Sequence, residues 1–155
     1  MVDQWQQGIQ ALLSTSRVSF LATQGEFGPE SSMAPYAIHN GLILLHLSAL
    51  AKHVSNIEKN PKIGLMICTP ESEVGSPLSL PRLSLQGELL PVTEMQFEVS
   101  KAAYLSVIPD AEPLFSFADF KLFQCAPASV NWVGGFGKAR KLTLQQWHQI
   151  SAAGK

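Results

Sequence analysis

The sequence predicts a mainly β domain, six or seven antiparallel strands with helices set into two of the joins, curled into a small closed or split barrel. Three observations predict it. Short apolar runs recur along the chain, and in residues 82–92 Leu83 and Leu85 alternate with Ser84 and Gln86 at period two. Turn residues separate these runs, above all Asn40-Gly41, the dipeptide most typical of a two-residue hairpin. Helical spacing is confined to short segments between them.

Trp5, Ile9, Leu12 and Leu13 repeat at helical spacing up to Ser14-Thr15-Ser16, which gives a first amphipathic helix. Residues 17–23 are apolar and β-branched enough for a strand, and residues 24–29 form a turn containing two glycines and a proline. A second strand runs over 31–39 and passes through Asn40-Gly41 into a third over 42–47, an antiparallel meander. Ser48 is placed to start a helix whose buried face carries Leu50, Val54 and Ile57 and which Asn60-Pro61 ends. A fourth strand, 62–69, reads as buried on both faces, and 70–81 is a polar loop. In the fifth strand Gly87 marks a bulge or a close backbone approach. A helix over 94–105 and a turn or short helix over 109–116 lead to two strands, 117–124 and 129–133, separated at Pro127. Gly134-Gly135-Phe136-Gly137 breaks the chain before a last helix from about Thr143.

With 155 residues the chain is read as one domain over 1–155. Apolar residues make up 46% and charged residues 15%, which excludes a disordered tail and points to apolar surface covered by a partner, hence a homodimer. A net charge of -1 without a basic stripe argues against nucleic-acid binding. Cys68 and Cys125 lie far apart in apolar runs and read as buried thiols of a reducing compartment. The N-terminus lacks a signal-peptide pattern and no apolar run has membrane-spanning length, so no membrane is expected and the predicted location is cytoplasmic.

Basic residues are few, so their positions matter. Lys52 and His53 open the central helix, Lys52 about 200° from Leu50 at 100° per residue and so away from the core, His53 at the border of the apolar stripe. Ser48, Lys52 and His53 at a helix N-terminus make a seat for a phosphate or carboxylate; an ordinary capped surface helix explains the same residues. Arg82 opens the fifth strand, and Lys138, Arg140 and Lys141 follow the glycine break, so barrel closure would let several face one anionic ligand. GGFG lacks the context of a dinucleotide fingerprint. Gly135 and Gly137 would instead let backbone pass close to a flat ligand, with Phe136 stacking on it or filling the core. Asp119, between Ala118 and Phe120, needs a hydrogen bond or a cation if buried, as a functional group or as a turn cap. The four histidines show no metal-ligand spacing, and no HExxH, paired CxxC or nucleophile-elbow motif occurs. His148, after Trp147 on the last helix, is either a surface residue or an iron ligand supplied in trans.

The motifs SFLAT, SSMAPYA, LSALAKHVSNIEKNP, PRLSLQGE, YLSVIPDA, DFKLF and GGFGKA, in that order from about Ser16 to Leu142, resemble the FMN-binding split barrels related to pyridoxamine 5′-phosphate oxidase. Within that group the chain is most similar to the haem-utilisation, HugZ/HutZ-type branch. The resemblance implies a flavin or ligand phosphate seat at Ser31, Ser32, Ser48, Lys52, His53 and Arg82. It also implies a haem pocket near His53, Arg82 and Asp119, with His148 as the candidate axial ligand, and a ligand held between two subunits. Two departures stand out: many relatives carry a further C-terminal domain, and the oxidase proper has an Arg-rich second strand where this sequence has Ser and Met. Vitamin B6 oxidation is therefore not expected.

Three readings follow. The first is a homodimeric FMN flavoprotein, an oxidoreductase acting on a small-molecule substrate, with the flavin phosphate on Ser48, Lys52 and Arg82. The second is a haem-binding or haem-degrading protein with His148 on the iron and Asp119 near it. The third is a cofactor-binding module without turnover.

Overall fold

Alternation along the strands resolves into one curled sheet. The computed structural model describes residues 3–72, 75–135 and 137–153. Among them the strands are β1 (Val18–Gly25), β2 (Gly28–Pro35), β3 (Ala37–His39), β4 (Leu42–Ser48), β5 (Lys62–Cys68), β6 (Arg82–Pro91), β7 (Phe120–Val133) and β8 (Ala139–Leu142). The helices are α1 (Gln4–Thr15), α2 (Lys52–Lys59), α3 (Phe97–Val107) and α4 (Leu144–Ala153). Neighbours run β2-β1-β5-β6-β7-β4-β3, with β8 added on β7. The two ends of that order, β2 and β3, are consecutive in the chain and separated only by Tyr36. One bent segment thus belongs to both ends of the sheet, which curls into the expected split barrel.

The inward residues of β1, β5, β6 and β7, among them Leu21, Leu65, Leu85 and Trp132, form one core with Ile9 and Leu12 of α1 and Trp147 and Ile150 of α4. Each fully buried Leu or Ile contributes on the order of 2 kcal/mol. A second cluster, Ala37, Leu44, Tyr104, Ile108, Ala111 and Leu122, lies where α3 packs on β3 and β4. β4 therefore has both faces covered, with residues 43–47 all buried.

Several expectations are corrected. The strand covered on both faces is β4 and not β5, whose Met66 is 38% exposed on the outer side. The second predicted strand breaks at Tyr36 into β2 on β1 and β3 on β4. Pro127 does not separate two strands: β7 is continuous for 14 residues, starting at Phe120. The register shifts between Gln86 and Gly87, pairing Gly87 with Pro127 and Gln86 with Ser129, so Ala128 is the extra residue of a bulge. A bulge tolerates a residue with no N–H to give. Leu50, expected on the buried face of α2, precedes that helix and is 87% exposed. Cys125 is buried and free, while Cys68 is only half-buried.

Gly87 allows the close approach that its position suggested. A Cβ there would stand 2.7 Å from Cys125 Sγ and 2.8 Å from the Ala126 carbonyl oxygen. Gly87→Val is expected to destabilise the fold by about 1–3 kcal/mol in urea denaturation. Gly64→Ala, whose Cβ would meet only Ala22 Cβ at 3.7 Å, should change little.

Candidate functional site

Period-two alternation in β2 puts Glu30 and Ser32 on its inner face, in register with Thr23 and Leu21 of β1, and turns Ser31 outward. α2 packs against β1 and brings its first two residues over this pair. His53 Nδ1 lies 3.1 Å from Ser32 Oγ, and Lys52 Nζ lies 2.7 Å from Glu30 Oε2. One turn later Asn56, only 7% exposed, donates to Thr23 Oγ1 at 3.0 Å and to Glu30. Glu30, Thr23 and Asn56 are partners that sequence reasoning missed. The available signals were the spacing of two between Glu30 and Ser32 and of four between Lys52 and Asn56.

These contacts set the electrostatics. Hydrogen bonds from Lys52 and then Asn56 hold the Glu30 carboxyl below its usual value, and the Glu30 partner raises Lys52. Burial lowers the His53 pKa from 6.5, so the imidazole is neutral at pH 7. The start of α2 therefore offers a neutral imidazole and a lysine already neutralised by a carboxylate.

Ser48 does not cap α2, correcting the sequence reading; Ala51 occupies that position. Ser48 ends β4, donates to Asp119 Oδ2 at 2.8 Å and accepts from the Leu50 N–H at 3.1 Å. The Asp119 carbonyl in turn accepts from Ala49 N–H at 2.6 Å. Asp119 thus has the hydrogen bond it needs and ties the end of β4 to the start of β7.

Arg82 lies elsewhere. Its register partners are Cys68 and Val133 on the outer face, three strands from β2 and so on the order of 14 Å away laterally. Its guanidinium donates to the carbonyls of Leu80 at 2.9 Å and Leu78 at 3.3 Å. Beside it, Gly135 and Gly137 form the β7–β8 turn, in which Gly134 N–H donates to the Lys138 carbonyl and Lys138 N–H to that of Gly135. Gly137, at φ 73, supplies the left-handed residue. Phe136 lies outside the described residues. Arg140 stacks on Trp5 of α1 with its guanidinium carbon 4.4 Å from the ring centroid, and its register partner Trp132 belongs to the core face, opposite to that of Arg82.

His148 is exposed on α4 and rests against the β3–β4 turn, where a Cβ on Gly41 would stand 2.5 Å from its Nδ1. That turn opens β4 and Ser48 closes it, so seven residues, roughly 20 Å, separate the two ends. One chain thus joins Ser32 to His53 beside Lys52 and holds Ser48 with Asp119 just ahead of α2, where the Ser48 carbonyl accepts from the Ala51 N–H at 3.0 Å, but it sets Arg82 beside the glycine turn, three strands from β2. No group of three or more metal-ligating side chains occurs among the described residues. No helix among them is long and apolar enough to cross a membrane.

The outer face carries an apolar row. Phe20 pairs in register with Met33 on one side and Met66 on the other, and the three are 51%, 57% and 38% exposed.

A family model described as CREG, beta-barrel matches residues 10–149. The chloroplastic non-canonical haem oxygenase HOZ of Arabidopsis thaliana is 31% identical over 136 residues, which cover 84% of this chain and 40% of HOZ. The haem oxygenase HutZ of Vibrio cholerae is 25% identical over 132 residues, 83% of this chain and 74% of HutZ. Among solved structures, a haem-binding protein from Mycobacterium smegmatis superposes with a TM-score of 0.85 at 24% identity, covering 96% of this chain and 62% of that one. The chain thus spans two-fifths of the length of HOZ.

Proposed function

Because the chain belongs to the CREG β-barrel family, we propose that it binds haem between two copies of itself and that oxidative breakdown of that haem is its reaction, the activity named for HOZ and HutZ. The observation that carries this reading is the state of the α2 start. Lys52 is neutralised by Glu30, and His53 is a neutral imidazole oriented by Ser32. The phosphate of FMN carries close to two negative charges at neutral pH and needs cations free to meet it. A histidine that ligates a metal through one ring nitrogen commonly has the other held by a hydrogen-bond acceptor, the place that Ser32 Oγ would take beside Nδ1.

The residues present fit haem better than FMN. His53 would hold the iron through Nε2, with Ser32 fixing the ring. Bound haem would supply the redox iron, and the chain's own residues would orient the macrocycle and keep water from it. Arg82 stands on the opposite face of the sheet from Ser32 in its own chain, so in this reading the partner subunit supplies the arginine. His148, roughly 20 Å from Ser48 along β4, can serve only from a partner.

Titration with haemin distinguishes these roles. His53→Ala is expected to weaken the Soret change tenfold or more and His148→Ala to leave it intact; the reverse pattern would assign the iron to His148. The homodimer has its own test, because the Phe20, Met33 and Met66 row is the apolar outer surface that a partner would cover. The Phe20→Glu, Met33→Glu variant should elute as a monomer in light-scattering chromatography and lose most haem affinity. A variant that stays dimeric excludes this face as the interface.

A further inference from the structure

A cavity of about 360 Å³ opens between β4, α3 and the 3₁₀ turn Pro109–Ser116. Its walls are mostly apolar, with Ile108, Leu114 and Phe120 prominent. One polar ring stands among them. His46 is only 6% exposed, and its Nδ1 has no hydrogen-bond partner. The ring is fixed by stacking on Phe115, centroids 3.7 Å apart and planes 9° from parallel, with Tyr104 edge-on at 5.8 Å. The Tyr104 hydroxyl engages the backbone of His46 and does not serve its ring. A buried nitrogen without a partner is costly, and Phe or Leu would fill this position without that cost.

We propose that this cavity is a binding site for a small neutral aromatic molecule carrying an O–H or N–H group, which hydrogen-bonds the His46 imidazole. Size, charge and shape each narrow the ligand. The volume lies at the low end of ligand pockets, enough for one ring or two fused rings and too little for haem. Arg17 and Asp110, both on the cavity wall, carry opposite charges and together select no net charge. Three aromatic rings on the wall, His46, Tyr104 and Phe120, suit an aromatic guest. A neutral imidazole both donates and accepts, so a phenolic hydroxyl is a complementary partner.

Phenol is the probe, titrated into the full chain and followed by the side-chain ¹⁵N resonances of His46 and by thermal midpoint. The expected result is saturable one-to-one binding that moves both ring nitrogens and raises the midpoint. Toluene, equal in shape but without the hydroxyl, should bind about tenfold more weakly, the loss of one hydrogen bond. His46→Phe should weaken phenol to the level of toluene. Leu114→Trp, which fills the cavity from its half-buried wall, should abolish binding of both. The proposal is overturned if phenol gives no saturable change, or if phenol and toluene bind alike to the wild type. Because none of these readouts involves haem, failure here leaves the haem reading standing, and the converse also holds.

Discussion

Replacing Trp147 with alanine is expected to lower the stability of the fold by about 3–5 kcal/mol. Trp147 is fully buried among core residues from several elements, and its Nε1 donates to the Gly41 carbonyl at 2.9 Å. Truncation would leave a cavity and a buried carbonyl of the β3–β4 turn without its donor. That turn is tight, with Asn40 at φ 52 and Gly41 at φ 78, both left-handed as a two-residue hairpin of this kind requires. α4 and the hairpin should therefore loosen together. Leu144→Ala on the same helix, 45% exposed, should cost no more than about 0.5 kcal/mol. Urea denaturation of both variants checks the contrast.

Acidification is expected to weaken the fold through His46 between pH 6.5 and about 4. Burial, and secondarily the Lys101 ammonium, pushes the His46 pKa down from 6.5 to about 4. Lys101 also sits 5.2 Å from the centroid of Phe115, the ring on which His46 stacks. Across that window the unfolded chain takes up a proton that the folded chain refuses, so stability is greatest above pH 6.5 and falls as the pH drops. The full effect is about 3 kcal/mol. His53, also lowered by burial, contributes in the same direction. Glu30 acts in a different window: its carboxyl is held below 4.5, so its contribution is present above 4.5 and is lost as the pH falls through the lowered value. The readout is therefore the difference between wild type and His46→Phe. The wild type should lose up to about 3 kcal/mol relative to His46→Phe as the pH is lowered from 6.5 to about 4, and parallel curves would show that His46 takes up its proton equally in the folded and unfolded states.

Much of the fold is legible in local chemistry. Asn40-Gly41 demands its hairpin, Gly87 its bulge, and Thr143 caps α4 through a reciprocal pair with Gln146, N–H to Oγ1 at 3.1 Å and N–H to Oε1 at 2.9 Å. Pro127 misled because its meaning depends on the opposite strand: facing Gly87 at a bulge, a missing N–H breaks nothing. β5 reads as doubly covered because Met66 is as apolar as its inward neighbours, and periodicity alone does not separate a face covered within the chain from one left open to a partner. At the site, the residue types at the head of α2 were visible but their charge state was not. Glu30 lies 22 positions before Lys52, and only the register of β2 on β1 and the packing of α2 bring them together. Arg82 read as a companion of Lys52, yet strand order sends it to another face.

The most direct test of the haem reading is a visible absorption titration of the purified wild-type protein with haemin and, in parallel, with FMN. A saturable Soret band at fixed stoichiometry per dimer and no retained flavin are expected, because Glu30 already occupies the lysine that a flavin phosphate would need. A yellow protein with a perturbed flavin spectrum and no saturable Soret change would contradict the haem reading.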